Sequence, residues 1–108
     1  MPYRIEGTVT EEGSGRPLAG LVVRAYDEDL IRHDFLGEAR TDAEGRFEVR
    51  FTEVQFQDVH ETRPDVFLRV YDASGANLLH STQRRVRRDA QLVERFELSI
   101  RAGEPTGA

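Results

Sequence analysis

Apolar and polar residues alternate along most of this chain, which is the pattern of half-buried β-strands. Residues 3–10 place apolar or small side chains at odd positions and mostly polar ones at even positions, and residues 46–51 alternate in the same way. Residues 21–26 and 64–71 are apolar on both faces, which is typical of well-covered strands. Further strands are predicted at 35–41, 77–82 and 90–101.

Asp and Gly mark the turns between these segments. In Asp42-Ala-Glu-Gly45 the Asp can accept bonds from backbone N–H groups two residues on, and the Gly can take a positive φ. This turn predicts that residues 35–51 form a hairpin, and Asp72-Ala-Ser-Gly75 is a second turn of the same kind. Residues 52–63 run out of phase by one, which predicts a bulge or a loop.

Seven short strands without a helical period predict an all-β fold, a seven-stranded antiparallel β-sandwich. The length of 108 residues fits one domain, assigned to residues 1–101, with a flexible tail at 102–108 that has nothing to bury. The last strand is expected to bury Leu92 and Ile100. The predicted core consists of Ile5, Val9, Leu21, Val23, Phe47, Val49, Phe51, Val66, Leu68, Val70, Phe96 and Leu98.

Composition excludes several classes of function. The absence of Cys rules out a disulfide framework, a thiol nucleophile and a thiolate metal site. A net charge of −5 disfavours nucleic acids and anionic membranes as partners. No apolar run approaches the roughly 18 residues of a membrane helix, and the first residues do not read as a signal peptide. We therefore expect a soluble cytoplasmic protein, although export inside a larger particle would leave no mark here.

Three motifs occur in an order that resembles transthyretin-like (prealbumin-like) domains, nearest the bacterial carboxypeptidase-regulatory-like group. They are Gly7-Thr-Val-Thr, then Gly15-Arg-Pro-Leu-Ala-Gly-Leu-Val-Val-Arg-Ala-Tyr-Asp, then Thr41-Asp-Ala-Glu-Gly-Arg-Phe, and the similarity covers residues 3–100. The resemblance implies a Greek-key β-sandwich. Because such domains often serve as accessory pieces of larger proteins, it also implies a protein-binding or structural adaptor, such as an assembly subunit of a bacterial secretion or contractile apparatus.

Two enzyme families share this fold, and neither signature is present. Hydroxyisourate hydrolases need an N-terminal His and a C-terminal Tyr-Arg-Gly-Ser, and intradiol dioxygenases hold iron with two Tyr and a close His pair. Here the histidines are His33, His60 and His80, with no His-x-His. We therefore expect a chain that is not an enzyme and needs no cofactor, and a diverged hydrolase is the weakest alternative.

A carbohydrate-binding module is a further alternative to the adaptor. Sugars stack on aromatic faces, and such modules usually present Trp or Tyr for this purpose. The chain has no Trp, and Tyr3, Tyr26 and Tyr71 all fall inside predicted strands. The residues therefore favour the adaptor.

An acidic loop is the first candidate for a binding site. Asp27, Glu28, Asp29 and Asp34 lie within eight residues, and calcium prefers carboxylate and carbonyl oxygens. The spacing lacks the Gly and the distal Glu of an EF-hand loop. A solvated loop whose carboxylates cap turns is the favoured interpretation, and a calcium site at Asp27, Asp29 and Asp34 is the alternative.

The second candidate is a run of four arginines, Arg84, Arg85, Arg87 and Arg88. Arginine binds oxyanions through two parallel hydrogen bonds, so the run could hold a phosphate or an acidic partner. On a strand its side chains would divide between two faces, which favours a solvated edge that resists aggregation. No aromatic residues accompany the run, so nucleic-acid stacking is not supported.

Two segments could contact a partner protein, which is the class of partner we expect. Residues 77–82 and the arginines after them resemble an edge strand, which can accept a strand from another chain. Residues 52–63 carry three apolar side chains in a predicted loop, Val54, Phe56 and Val59. We favour residues 52–63 as the contact, with packing of these side chains on the protein's own core as the alternative.

Overall fold

The computed structural model describes residues 2–29, 33–55 and 63–101, and within them the fold is all-β, with seven strands and no α-helix. Short 3₁₀ helices span Glu53–Gln55 and Gln83–Arg85. The tail at 102–108 lies outside the described residues. The strands are β1 (Tyr3–Glu11), β2 (Val22–Asp27), β3 (Asp34–Arg40), β4 (Arg46–Phe51), β5 (Val66–Tyr71), β6 (Leu78–Ser81) and β7 (Val93–Ile100).

The strands form two sheets, one of order β4-β1-β7 and one of order β3-β2-β5-β6. All the pairings are antiparallel except that of β1 with β7, which is parallel. The expectation of a wholly antiparallel structure is therefore wrong for this pair. Parallel neighbours need a long crossover connection, and here the strands β2 to β6 supply it.

The predicted hairpin at 35–51 is also wrong, because β3 and β4 belong to different sheets. The turn between them exists, but it carries the chain from one sheet to the other. Buried Thr41 holds this crossing in place: its hydroxyl donates to the Leu18 carbonyl at 2.6 Å and accepts from the Leu21 N–H at 3.0 Å. A hairpin within one sheet and a connection between two sheets have the same strand–turn–strand pattern in the sequence. Alternation alone therefore does not distinguish them.

One core is formed by the inward faces of both sheets, giving a sandwich-like arrangement. Eleven of the twelve predicted core residues are buried, and the other, Leu21, is partly buried against the core. The core also contains Tyr3, Ala25, Leu36, Ala90 and Ile100.

Two expected orientations are reversed in the structure. Leu36 is buried and Phe35 is 49% exposed, whereas strict alternation over residues 35–41 groups Leu36 with the polar Glu38 and Arg40. The β2–β3 register shifts here, since Ala25 pairs with Gly37 but Tyr26 pairs with Phe35, and this irregularity turns Leu36 inward. Leu92, expected in the core, precedes β7 and is 41% exposed.

The turn at 42–45 has the bonding that the sequence predicts. The Asp42 carboxylate accepts from the N–H groups of Glu44 and Arg46, each at 2.9 Å, and Gly45 has a φ of +74°. The Gly45 carbonyl then accepts from the Val9 N–H at 2.8 Å, which joins the turn to β1. The turn is therefore a structural part of the fold.

No helix among the described residues is long and apolar enough to cross a membrane.

Replacing Gly45 tests how closely this turn approaches β1. Gly15 has the same φ of +74° with open space around it, whereas a Cβ on Gly45 would lie 2.5 Å from the Val9 carbonyl oxygen. We expect Gly15→Ala to cost about 1 kcal/mol from backbone strain. Gly45→Ala should cost about 2–4 kcal/mol because overpacking adds to the strain. Denaturant unfolding of both variants measures this, and equal costs would contradict the close approach.

Acid titration tests the two Asp turns. Hydrogen bonds from the Ser74 hydroxyl and the Asn77 amide lower the pKa of Asp72 to about 2, and the Arg46 N–H lowers the pKa of Asp42. A depressed pKa adds stability that is complete above the unfolded value of about 4 and is lost as the pH falls toward 2. Asp72→Asn should flatten this decline, measured as the free energy of unfolding at several pH values. An unchanged slope would show that Asp72 is not coupled to folding.

Candidate functional site

The acidic residues predicted to bind calcium are used in different ways. Asp27 is buried at the end of β2, and its carboxylate accepts from the Asp65 N–H at 2.8 Å, which connects β2 to the residues before β5. Asp29 is exposed, and half-buried Asp34 begins β3. No three His, Asp or Glu side chains within 2–29, 33–55 and 63–101 are arranged to hold a metal ion. A calcium site at Asp27, Asp29 and Asp34 therefore stays the alternative hypothesis.

The two described histidines lie apart, as their spacing suggests. His33 packs its ring edge-on against Phe67 at 4.9 Å and contacts Gln83 through Nε2, so it belongs to the outer face of the four-stranded sheet. His80 lies on β6, where burial lowers its pKa and leaves the imidazole uncharged at neutral pH. His60 lies outside the described residues.

The arginine run lies outside the seven strands. Arg84 and Arg85 end the 3₁₀ helix Gln83–Arg85, while Arg87 forms an isolated antiparallel bridge with Val66. Because the backbone changes direction at this point, the four side chains do not alternate between two faces. Arg87 and Arg88 stabilise the fold through contacts with other residues, whereas Arg84 and Arg85 remain available for contact with a ligand.

Arg87 is part of the fold. Its guanidinium lies 3.7 Å from the ring centroid of Phe96, donates to the Glu94 carboxylate at 3.0 Å and donates to the Arg95 carbonyl. A cation–π contact of this kind contributes about 0.5–2 kcal/mol. Arg87 thus connects the bridge beside β5 with the edge of β7.

Arg88 is held by two carboxylates, Glu28 at 2.7 Å and Asp65 at 3.3 Å. The hydrogen bond to Glu28 raises its pKa above the ordinary arginine value. This ion cluster closes the end of the protein where Asp27 also contacts Asp65. Arg87 and Arg88 therefore have a structural role first, and they are secondary candidates for binding a partner.

Arg84 and Arg85 are exposed and form no ion pair with the part of the chain that the structure describes. They border a groove of about 590 Å³ between the 3₁₀ helix, β6 and β7, which we call the edge groove. Its lining residues are His80, Ser81, Thr82, Arg84, Arg85, Arg87, Phe96, Glu97, Leu98 and Ser99.

The lining shows that the groove runs along strand edges. Successive side chains of a strand point to opposite faces, so consecutive residues can line one groove only along the edge of their sheet. Four consecutive residues of β7, from Phe96 to Ser99, line the groove. Three consecutive residues at the end of β6, from His80 to Thr82, line it as well. β7 is an edge strand of one sheet and β6 of the other. The groove therefore lies where edges of both sheets meet.

The chemistry of the edge groove is cationic on one side and apolar at its base. Phe96 and Leu98 are buried and supply the apolar base. The hydroxyl oxygens of Ser81 and Thr82 already accept backbone N–H groups of Gln83 and Leu68, so they shape the wall. Two guanidinium groups that pair with no carboxylate in 2–29, 33–55 and 63–101 lie beside this apolar base. Such an arrangement suits an elongated ligand that carries negative charge.

The other predicted contact surface is described only in part. Val54 is 76% exposed on the 3₁₀ helix Glu53–Gln55. Phe56 and Val59 lie outside the described residues. The structure therefore supplies geometry for the arginine surface and for one residue of the other.

Sequence inspection missed a set of aromatic–arginine contacts on the outer face of the four-stranded sheet. Tyr26 stacks on Phe67 with ring centroids 5.3 Å apart, and the Arg69 guanidinium lies 5.1 Å from the Tyr26 centroid. Arg24 similarly lies 4.5 Å from the centroid of Tyr71. These residues are neighbours on paired strands, β2 and β5, so only the register brings them together. The guanidinium groups of Arg69 and Arg24 thus lie against the aromatic faces on which a sugar would have to stack.

Comparison with known proteins gives similarity of fold. No family model and no curated protein sequence matches the chain. A 9R-lipoxygenase from Cyanothece PCC8801 matches with a TM-score of 0.66 and 21% identity over 91% of this chain and 16% of that chain.

Two dioxygenases also match. One is the dioxygenase domain of a dioxygenase carbohydrate-binding protein fusion from Streptomyces sp. SirexAA-E, with a TM-score of 0.56 and 16% identity over 93% of this chain and 79% of that chain. The other is chlorocatechol 1,2-dioxygenase from Pseudomonas putida, with a TM-score of 0.55 and 14% identity over 93% of this chain and 60% of that chain.

These matches overturn the expectation that the chain is not an enzyme, because the chains that share its fold are those of a lipoxygenase and of dioxygenases. Identities of 12–21% show the fold alone and assign no reaction to this chain.

Substitution of Asp27 tests its structural role. Asp27→Ala leaves the Asp65 N–H without the acceptor seen here, and we expect a loss of about 1–3 kcal/mol in unfolding free energy. Asp27→Asn keeps an oxygen at the same position and should lose less. Melting temperatures with and without millimolar calcium complete the test. A calcium-dependent rise in the melting temperature of the native protein that Asp27→Asn abolishes would support the calcium hypothesis, and no rise would contradict it.

Proposed function

We propose that this chain is a protein-binding module, a transthyretin-like Greek-key β-sandwich that docks another protein or a larger assembly at the edge groove. The observation that carries the proposal is that edge strands of both sheets meet at one groove, beside two arginines that have no ion partner among the described residues. Edge strands are the parts of a sheet that can accept further pairing.

Two features support the transthyretin-like assignment. The two sheets share one core, and the motif Thr41-Asp-Ala-Glu-Gly-Arg-Phe forms the connection between them. The motif that begins at Gly15 leads into β2, at the centre of the four-stranded sheet. The resemblance thus involves the connections that determine the topology as well as the strand pattern.

The edge groove is a stronger candidate for docking than the segment 52–63 that the sequence favoured. Arg84 and Arg85 combine exposure with a defined cavity, whereas Val54 is a single exposed apolar side chain on the described part of its segment. A contact surface gains specificity when charge and shape coincide. The adaptor therefore uses the arginine surface.

A protein partner also fits better than a sugar. Carbohydrate recognition depends on open aromatic faces, and Arg69 and Arg24 lie over the rings of Tyr26 and Tyr71. Phe35 is the exposed aromatic side chain among the described residues. One ring does not make a platform for a polysaccharide.

Affinity capture from the native host tests the proposal with three baits: the native chain, Arg84→Glu/Arg85→Glu, and Arg46→Glu/Arg50→Glu. The control pair makes the same charge change on exposed side chains of β4, at the edge of the sheet away from β7. We expect a partner that the native chain and the control bind and the groove variant does not.

The captured partner is then purified, and its affinity for each variant is measured directly. A loss of at least tenfold that is confined to the groove variant supports the proposal. Equal affinity for all three chains, or the absence of any partner that binds after purification, contradicts it. Circular dichroism and melting curves establish that every variant is folded.

A further inference from the structure

The backbone of β7 presents hydrogen-bonding groups to the edge groove. The carbonyls of Leu92 and Ile100 accept from the Arg4 and Glu12 N–H groups on the β1 side, each at 2.7 Å. Backbone groups of successive strand residues point to opposite edges. The even-numbered residues of β7 therefore bond to β1, and the N–H and C=O groups of odd-numbered residues point away from it.

One of these outward groups is already occupied. Arg87 donates to the Arg95 carbonyl, which both confirms the direction of the odd-numbered groups and covers the first half of the edge. The next outward residues, Glu97 and Ser99, line the groove. No described strand pairs with β7 on this side. The second half of β7 therefore offers backbone donors and acceptors in the groove.

Charge indicates what would pair there. Arg84 and Arg85 stand at the groove with no ion partner among the described residues, in a protein whose net charge is −5. His80 is uncharged at neutral pH, and the charge of Arg87 is balanced by Glu94 at 3.0 Å. The acidic residue of the lining, Glu97, has a 78% exposed side chain, and its carboxylate lies 3.8 Å from Arg95. The groove is thus a local cationic site on an acidic protein.

We propose that the edge groove binds an extended acidic segment of a partner protein. The segment adds to β7 as a strand through the outward groups of Glu97 and Ser99, and its carboxylates pair with Arg84 and Arg85. At about 3.3 Å per residue, the open half of β7 accommodates roughly four to six residues of an extended chain. This inference rests on the proposed function and specifies the chemistry of its partner.

The first test measures binding of a labelled decapeptide in which Glu alternates with Thr, by fluorescence anisotropy. The matched peptide has Gln in place of every Glu. We expect the acidic peptide to bind at least tenfold more tightly than the Gln peptide, and the difference to shrink at high salt. Arg84→Gln/Arg85→Gln should weaken binding of the acidic peptide at least tenfold, whereas Arg46→Gln/Arg50→Gln should not.

The second test addresses strand addition. The acidic peptide is N-methylated at alternate residues in each of the two registers, which removes the donors on one edge while keeping every charge. One register should lose at least tenfold in affinity, because its missing donors face β7. Ser99→Pro should also weaken binding, since it removes an N–H that points away from β1, and its melting curve shows whether the sheet is intact.

The outcomes separate this inference from the proposed function. If a purified partner needs Arg84 and Arg85 for binding but the acidic and Gln peptides bind equally, the acidic-strand inference is wrong. The proposed function as a protein-binding module is then retained. If charge matters and neither N-methylated register weakens binding, strand addition is wrong. If inorganic phosphate at millimolar concentration displaces the peptide from both native and Ser99→Pro chains, the groove is a small-oxyanion site, which also overturns the inference.

Discussion

The close approach of β1 and β7 at Gly7 is the constraint on which the arrangement of this protein depends. A Cβ at Gly7 would overlap the backbone carbonyl of Phe96, its partner in the parallel register. Because position 7 has no side chain, the last strand can lie against the first, and β1 becomes the centre of its sheet. β7 is then left at an edge, beside the end of β6.

The groove follows from this placement and from the chain that leads into β7. Arg87 and Arg88 fix that chain through Phe96 and through the carboxylates of Glu28 and Asp65. Arg84 and Arg85, which lie just before it, remain exposed at the groove. Residues of one type in one short run thus divide into two that stabilise the fold and two that are exposed at the groove. Their different roles come from the change in backbone direction after the 3₁₀ helix.

The similarity to lipoxygenase and dioxygenase chains is consistent with a fold that hosts different activities. The function therefore has to be argued from the groove and not from the fold. In this chain the edge groove combines backbone groups of a strand edge, two exposed guanidinium groups and an apolar base. Those are the features on which the proposed binding of an elongated acidic ligand rests.

The sequence by itself determined the local structure: the strands, the turn at 42–45 and nearly all of the core. These depend on alternation and on a few residues such as Asp42 and Gly45, whose chemistry acts over four residues. Only the tertiary structure decided that β3 and β4 lie in different sheets, that Leu36 turns inward, and that Arg84 and Arg85 meet the edge of β7. Each of these depends on register and on contacts between residues distant in sequence, which a period-two pattern does not encode.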